Sequence, residues 1–377
     1  MTQRSRCALV LLGGGARCAY QVGVVRGIAE LLGEPAANPF PILVGTSAGA
    51  VIAASLACGA EDFAQATRQV EGFWANFESR KVYRTDSPAT LRAVTQMVVA
   101  LLSGGRLAQA PGALLDTRPL RGVLEGHMNF SRMRMAMAAG KVEALAVTAT
   151  DLLSGDSVTF FETLLRTAEW RRAWRRGQES RLAIAHLMAS TAMPLLFPGE
   201  WLGASIFGDG AVRQLAPLSP AVHLGADRII AISVREQPPH VAPPPPRSLR
   251  SATPAQIFGL AMDTLFLDTL DSDLERLDRL NELAARPGYL PTPYRSIETL
   301  VLRPSVDIAE LAAAHTGMLP QSTRTLLRLL GAGRGDGGRL ASYLLFESAF
   351  TRTLIELGRR DAHASESAVR TALRGTD

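Results

Sequence analysis

Gly45-Thr46-Ser47-Ala48-Gly49 is the first place in this 377-residue chain where the residue types point to chemistry. The five residues fit G-x-S-x-G, a pattern that chance alone often produces. The surroundings give it weight. A short apolar run, residues 41–44, precedes it, and an alanine-rich apolar stretch, residues 47–57, follows. Strand, tight turn and helix in that order predict a nucleophile elbow with the hydroxyl of Ser47 at its tip. Small neighbours suit a turn that crowds its own backbone. The helix that starts there aims amide N–H groups at the hydroxyl and favours negative charge. The plain alternative is an ordinary strand–helix turn bounded by Gly45 and Gly49.

A second strand-to-helix turn is Gly13-Gly14-Gly15-Ala16-Arg17. Three glycines let backbone N–H groups approach a ligand with no Cβ in the way. Beside an elbow serine, such a loop serves as an oxyanion hole. A dinucleotide loop is the rival. Gly13 and Gly15 open a G-x-G-x-x-G, but Cys18 holds the third glycine position, and the second strand ends in Gly45 where a ribose-binding acid is expected. A phosphate-binding P-loop fails because no Gly-Lys-Ser/Thr follows.

A serine nucleophile needs a base. Histidine is the usual one, and the six histidines are His127, His186, His223, His240, His315 and His363. None sits in a distinctive loop after a strand. His223, expected near the start of a strand, is the best triad candidate, since it gives the order serine, acid, histidine. The other option is a carboxylate. Asp209 stands at the end of an apolar segment in Phe207-Gly208-Asp209-Gly210-Ala211. In a desolvated pocket its pKa rises and it can take the serine proton. A plain Asp-Gly turn is the bland reading, and Asp336-Gly337 is a decoy of that kind.

Taken together and in this order, the glycine loop, Gly45 through Gly49, and Asp209-Gly210-Ala211 resemble the three signatures of bacterial patatin-like phospholipases. The segment from Ala189 through Pro198 resembles the stretch that family places before its Asp-Gly motif. The similarity spans roughly residues 7–235. It implies a three-layer α/β/α fold and a Ser–Asp dyad without a catalytic histidine. Ser47 is then the nucleophile, Asp209 the base, Gly13, Gly14 and Gly15 the oxyanion hole, and Arg17 the support of that loop. The implied activity is hydrolysis of fatty-acyl esters of membrane phospholipids or related lipids through an acyl-enzyme. One departure stands out: many members have glycine where this chain has Cys18. A position with φ > 0 would strain a cysteine; a helical one would not.

These motifs need an α/β frame. Strand–turn–helix occurs twice within the first sixty residues, which implies a mainly parallel sheet with helices on its faces. Residues 7–12 read as a strand buried on both sides, and 17–32 as a helix stopped by Gly33. Residues 61–139 read as mainly helical, with breaks near 86–88 and 104–105. Residues 142–150 and 157–161 form a strand pair. Residues 182–190 read as a helix, 205–207 and 227–234 as strands. The expected division is an acyl hydrolase domain at 1–235, a proline-rich linker at 236–254 and a mainly helical region at 255–377. That last region is expected to hold one long helix over 256–285, a strand at 299–302, a glycine-rich loop at 331–338 and a final helix over 340–359.

Composition narrows the classes. An apolar fraction of 47% excludes global disorder, and a formal charge of +5 is too small to imply nucleic acid. Nearly all the positive charge is arginine; Lys81 and Lys141 are the only lysines. Cys7, Cys18 and Cys58 lack metal-ligand spacing and form no disulfide framework, which fits a reducing, cytoplasmic setting. No calcium-loop motif is present, and neither metal nor cofactor is expected. No segment reads as transmembrane. Peripheral membrane contact is expected from residues 166–176: at helical spacing, Trp170 and Trp174 share one side and Arg171, Arg172, Arg175 and Arg176 the other. The alternative there is a helix whose tryptophans pack on the core. Two further readings of the whole chain are a Ser-His-Asp esterase using His223 or His315 and a non-catalytic binding protein.

Overall fold

The computed structural model describes residues 6–374 apart from 85–91, 93–94, 98, 101–102, 104–105, 107–111, 166, 237–253, 267, 286–294 and 330–337. Most of the expected linker, His240, the expected breaks at 86–88 and 104–105, and nearly all of the glycine-rich loop lie outside the described residues.

The first strand sets the architecture. Every residue of β1 (Cys7–Leu11) is buried. Cys7, Leu9 and Leu11 enter one hydrophobic core, while Ala8, Val10 and the following Leu12 enter another. A strand with two apolar faces must lie inside a sheet covered on both sides. β1 pairs in parallel with β2 (Ile42–Thr46) on one edge and with β9 (Arg228–Ile232) on the other. β3 (Ala144–Asp151) extends the parallel set beyond β2, and β10 (Glu298–Leu302) extends it beyond β9. β4 (Ser157–Thr163) turns back antiparallel on β3, as the strand pair in the sequence predicts, and β5 (Trp170–Arg172) and β6 (Arg175–Glu179) follow at that edge. β7 (Glu200–Leu202) and β8 (Ser205–Asp209) form a hairpin attached to the tip of β3.

Helices cover both faces, which completes three layers. On one face lie α1 (Ala19–Leu31), α2 (Ala48–Cys58), α3 (Ile184–Ser190), α4 (Pro254–Phe266), α5 (Gly338–Leu344) and α6 (Ser348–Ala364), whose buried residues share one core. The α1–α6 contact is close: a Cβ on Gly23 would come within 1.9 Å of the Ile355 carbonyl oxygen, and one on Gly358 within 2.1 Å of that of Tyr20. Two helical segments, Ser219–His223 and Thr269–Ala284, send Ala221 and Leu270 into the core of the opposite face.

Three expected helices take other forms. The rod over 256–285 is two helices, because Met262 and Phe266 belong to one core and Leu270 to the other, and a straight helix cannot serve both faces of a sheet. The final helix is broken at 345–347, where Leu345 and Phe346 are buried outside any helix, and a further helix, Glu366–Leu373, follows α6. The segment with Trp170 and Trp174 is the β5–β6 hairpin, not an amphipathic helix. Trp170 is buried and stacks between Phe161, at 5.1 Å, and His223, at 4.6 Å. Trp174 sits in the turn at φ 59. The arginines read as one helical face gain more as strand residues, because pairing with β4 and burial of Trp170 outweigh a helix propensity worth a few tenths of a kcal/mol per residue.

Candidate active site

The register of β3 explains how residues 47 and 209 meet. One edge of β3 is occupied by β4. Its other edge pairs with β2 up to Thr46, opposite Thr148, and then with β8 from Asp209, opposite Ala149. The end of β2 and the end of β8 therefore point at each other along one edge. Ser47, just past the end of β2, and Asp209, the last residue of β8, are drawn together although their sequence separation is large. Ser47 Oγ donates a hydrogen bond of 2.5 Å to Asp209 Oδ2.

Ser47 adopts φ 54, ψ −129. Such a conformation costs a non-glycine residue about 1–3 kcal/mol and survives only where the surroundings enforce it. Gly45 and Gly49 permit it: a Cβ on Gly45 would lie 2.4 Å from Ala50 Cα, and one on Gly49 2.4 Å from the Leu11 carbonyl oxygen. Ser190, on α3, fastens the turn. Its hydroxyl accepts from the Ser47 N–H at 2.8 Å and donates to the Thr148 carbonyl at 2.7 Å. The turn is held from the sheet side as well, where Thr46 Oγ1 donates to Gln214 Oε1 at 2.6 Å. Sequence reasoning placed Ser190 only inside a family-like segment and gave it no task. Nothing in a lone buried serine announces one.

Asp209 is fully buried. Burial drives its pKa up to about 7, although the hydrogen bonds from Ser47 and from the Ala211 N–H hold it down. The Ala211 bond, to Oδ1, is 2.9 Å. Gly210 is obligatory in size, because a Cβ there would lie 2.2 Å from the Thr148 carbonyl oxygen.

The glycine loop lies against Ser47: a Cβ on Gly13 would come 3.1 Å from the serine's Cβ and 2.7 Å from the Phe266 ring. Gly15, at φ +57, lets the chain pass under the Tyr343 carbonyl, 2.3 Å from where a Cβ would stand. Arg17 is buried. It donates to Ser342 Oγ at 2.6 Å and to the Arg339 carbonyl at 3.1 Å, pairs with Asp263 at 3.2 Å and lies over the Tyr343 ring. Cys18 is helical at φ −66, ψ −9, so no strain arises from the missing glycine. Its thiol lies 3.5 Å from the Leu12 carbonyl oxygen, and burial holds it in the neutral form.

Beside Ser47 opens a narrow apolar cavity of about 30 Å³, lined by Gly15, Val51, Trp74, Phe77, Phe197 and Phe346 among others. The described histidines have other partners. His127 stacks on Phe73, and His186 meets Phe160 edge-on. His223 ends a short helix rather than opening a strand; it stacks on Trp170, and burial with Arg172 and Arg175 pushes its pKa down to about 4. His315 Nδ1 bonds the Leu311 carbonyl, and His363 bonds Glu30. Among the described residues no group of three or more His, Cys, Asp or Glu side chains is placed to hold a metal ion.

A mainly parallel sheet with covered faces and a strained serine at a strand–helix turn, bonded to a buried carboxylate, define an α/β protein with a nucleophile-elbow site. Residues 9–222, more than half of the chain, match the model of the patatin-like phospholipase family, and the chain belongs to that family. A cUMP-AMP-activated phospholipase of Escherichia coli is 47% identical over 53 residues, which span 14% of this chain and 17% of that protein. A crystal structure of VipD from Legionella pneumophila aligns over 94% of this chain and 67% of that one, with 13% identity and a TM-score of 0.32.

Proposed function

We propose that this chain cleaves fatty-acyl esters of membrane phospholipids through a Ser47–Asp209 dyad and an acyl-enzyme. Ser47 Oγ attacks the ester carbonyl carbon as Asp209 takes its proton. The carbonyl oxygen, now negative, is received by N–H groups of the loop at Gly13, Gly14 and Gly15. Collapse of the tetrahedral intermediate expels the lysolipid alkoxide, which leaves with the proton from Asp209. Water then attacks the acyl-enzyme with Asp209 again as base and releases the fatty acid. The acyl chain lies in the apolar cavity, where burial of each CH₂ group favours binding by about 0.8 kcal/mol.

The observation that carries this reading is the 2.5 Å bond from Ser47 to a buried carboxylate whose pKa stands near neutrality. A carboxylate raised toward neutrality by burial is a stronger base than one in water and can accept a proton during attack. Arg17 supports the loop by tying it to residues 339–343 and Asp263, and the Gly45 and Gly49 contacts hold the serine outward. The test is a hydrolysis panel over phospholipid, lysophospholipid and triacylglycerol classes, run beside Ser47→Ala. Wild type releases fatty acid and is labelled at Ser47 by a fluorophosphonate; the folded Ser47→Ala protein does neither. Undiminished hydrolysis by that variant would overturn the scheme.

A further inference from the structure

The carboxyl ends of β1, β2 and β3 carry the glycine loop, Ser47 and the Asp209 pairing position. That same end of the sheet is ringed by three turns: residues 152–156 between β3 and β4, residues 173–174 between β5 and β6, and residues 203–204 between β7 and β8. The turns are in contact. The Ser157 N–H donates to the Trp174 carbonyl, and the Leu152 N–H to the Ile206 carbonyl, each at 2.9 Å. The Arg213 guanidinium lies over the Trp174 ring at 5.2 Å.

These turns present large apolar side chains to solvent. Leu153 is 65% exposed and Trp174 56%, with Leu152 also exposed, and Trp201 on β7, next to the β7–β8 turn, is 62% exposed. Single exposed apolar residues are ordinary; several gathered on adjoining turns mark an interaction surface. Trp174 is held outward at φ 59, a left-handed conformation that tryptophan rarely adopts. The charge beside them is cationic. Among the described residues, Arg171, Arg172, Arg175 and Arg213 have no carboxylate within ion-pair distance, while Arg176 pairs with Asp151 at 3.1 Å. Asp273, on the Thr269–Ala284 helix, is the acid whose charge acts on Arg175.

We propose that these three turns are the surface by which the protein docks on an anionic phospholipid bilayer. Tryptophan and leucine side chains enter the headgroup boundary, where an amphipathic indole is most stable. The unpaired guanidinium groups meet lipid phosphates, which they can bind through two parallel hydrogen bonds. Docked in this way, the bilayer faces the site. Along β3 the Asp209 pairing position, Ala149, is two residues from Asp151 at the edge of the surface, about 7 Å at strand rise. The inference rests on the reading that the substrate is a membrane phospholipid, and it names the surface that presents it.

Flotation with phosphatidylcholine vesicles, with and without phosphatidylglycerol, tests it on the full chain. The Ser47→Ala background avoids turnover during binding. Binding is expected on the anionic vesicles only, weakened by salt and accompanied by a blue shift of tryptophan emission from Trp174 and Trp201. Leu153→Glu with Trp174→Ala, and separately Arg171→Gln with Arg172→Gln, should each lower vesicle binding by roughly tenfold or more. With Ser47 restored, both double variants should lose hydrolysis of vesicle phospholipid but keep hydrolysis of a soluble short-chain ester. Variants that bind vesicles as wild type does, binding indifferent to anionic lipid and salt, or a dimer that protects Trp174 and ignores vesicles would each overturn the assignment. A protein that binds vesicles as described yet hydrolyses no ester refutes the dyad reading and leaves the docking surface standing.

Discussion

Replacing Asp209 by asparagine should abolish hydrolysis and stabilise the protein, and the stabilisation should depend on pH. In the fold the carboxyl has a pKa of about 7; in the unfolded chain it is about 3.9. Below pH 4 both states hold the proton, and the acid costs the fold nothing. Between pH 4 and 7 the unfolded chain releases its proton while the folded protein keeps it, so stability falls as pH rises. Above pH 7 both are ionised and the loss is complete. A difference of about three units at 1.36 kcal/mol each gives a penalty of about 4 kcal/mol at pH 8. Asparagine has the same shape and no charge. Its carbonyl oxygen still accepts from the Ala211 N–H, and its NH₂ can donate to Ser47 Oγ, which turns from donor to acceptor. With an unfolding entropy of about 2.1 cal/mol/K per residue over 377 residues, 4 kcal/mol corresponds to a rise of about 5 °C in Tm. Calorimetry of Asp209→Asn and wild type should show that gap at pH 8 and little gap at pH 4.5. An asparagine variant that melts no higher at pH 8, or whose advantage is the same at both pH values, would refute the account of a carboxylate held ionised against its burial.

Further expectations follow from the same geometry. For wild type, kcat/KM should fall about tenfold per pH unit below pH 7 and level off above it, because the base must be ionised; a profile flat between pH 5 and 8 contradicts the assignment of Asp209. Ser190→Ala leaves the Ser47 N–H buried without its acceptor and should cost about 1–3 kcal/mol of stability in denaturant unfolding, with kcat lowered more than KM is raised. Trp170→Ala removes a ring stacked between Phe161 and His223 and should cost about 3–5 kcal/mol, whereas Trp174→Ala should change the unfolding midpoint little.

Much of the frame was legible because its signals are local. An apolar run buried on two faces marks a central strand, and glycines at a strand end mark a turn that cannot take a side chain. The positions of Ser47, Asp209 and the glycine loop in the chain follow from that pattern and from resemblance. Their meeting does not. It depends on β2 and β8 sharing one edge of β3, which is a long-range register. The role of Ser190 is hidden for the same reason, since its two partners, the Ser47 amide and the Thr148 carbonyl, are backbone atoms that any sequence supplies. The β5–β6 hairpin is not legible in the sequence, because tryptophan and arginine at helical spacing also fit a short strand pair. What decides between them is the Phe161 ring under Trp170, and periodicity is blind to it. The helix break between Phe266 and Leu270 carries neither glycine nor proline; two separate cores impose it.

The glycine loop is completed from the far end of the chain. The Tyr343 carbonyl lies on Gly15, the Ser342 hydroxyl and Asp263 grip Arg17, and Phe266 covers Gly13. During translation Ser47 and Asp209 leave the ribosome long before these partners do. A nascent chain can thus build its sheet around β1, β2 and β3 while the loop still lacks its props, and hydrolytic power should arrive only once residues 339–343 have emerged.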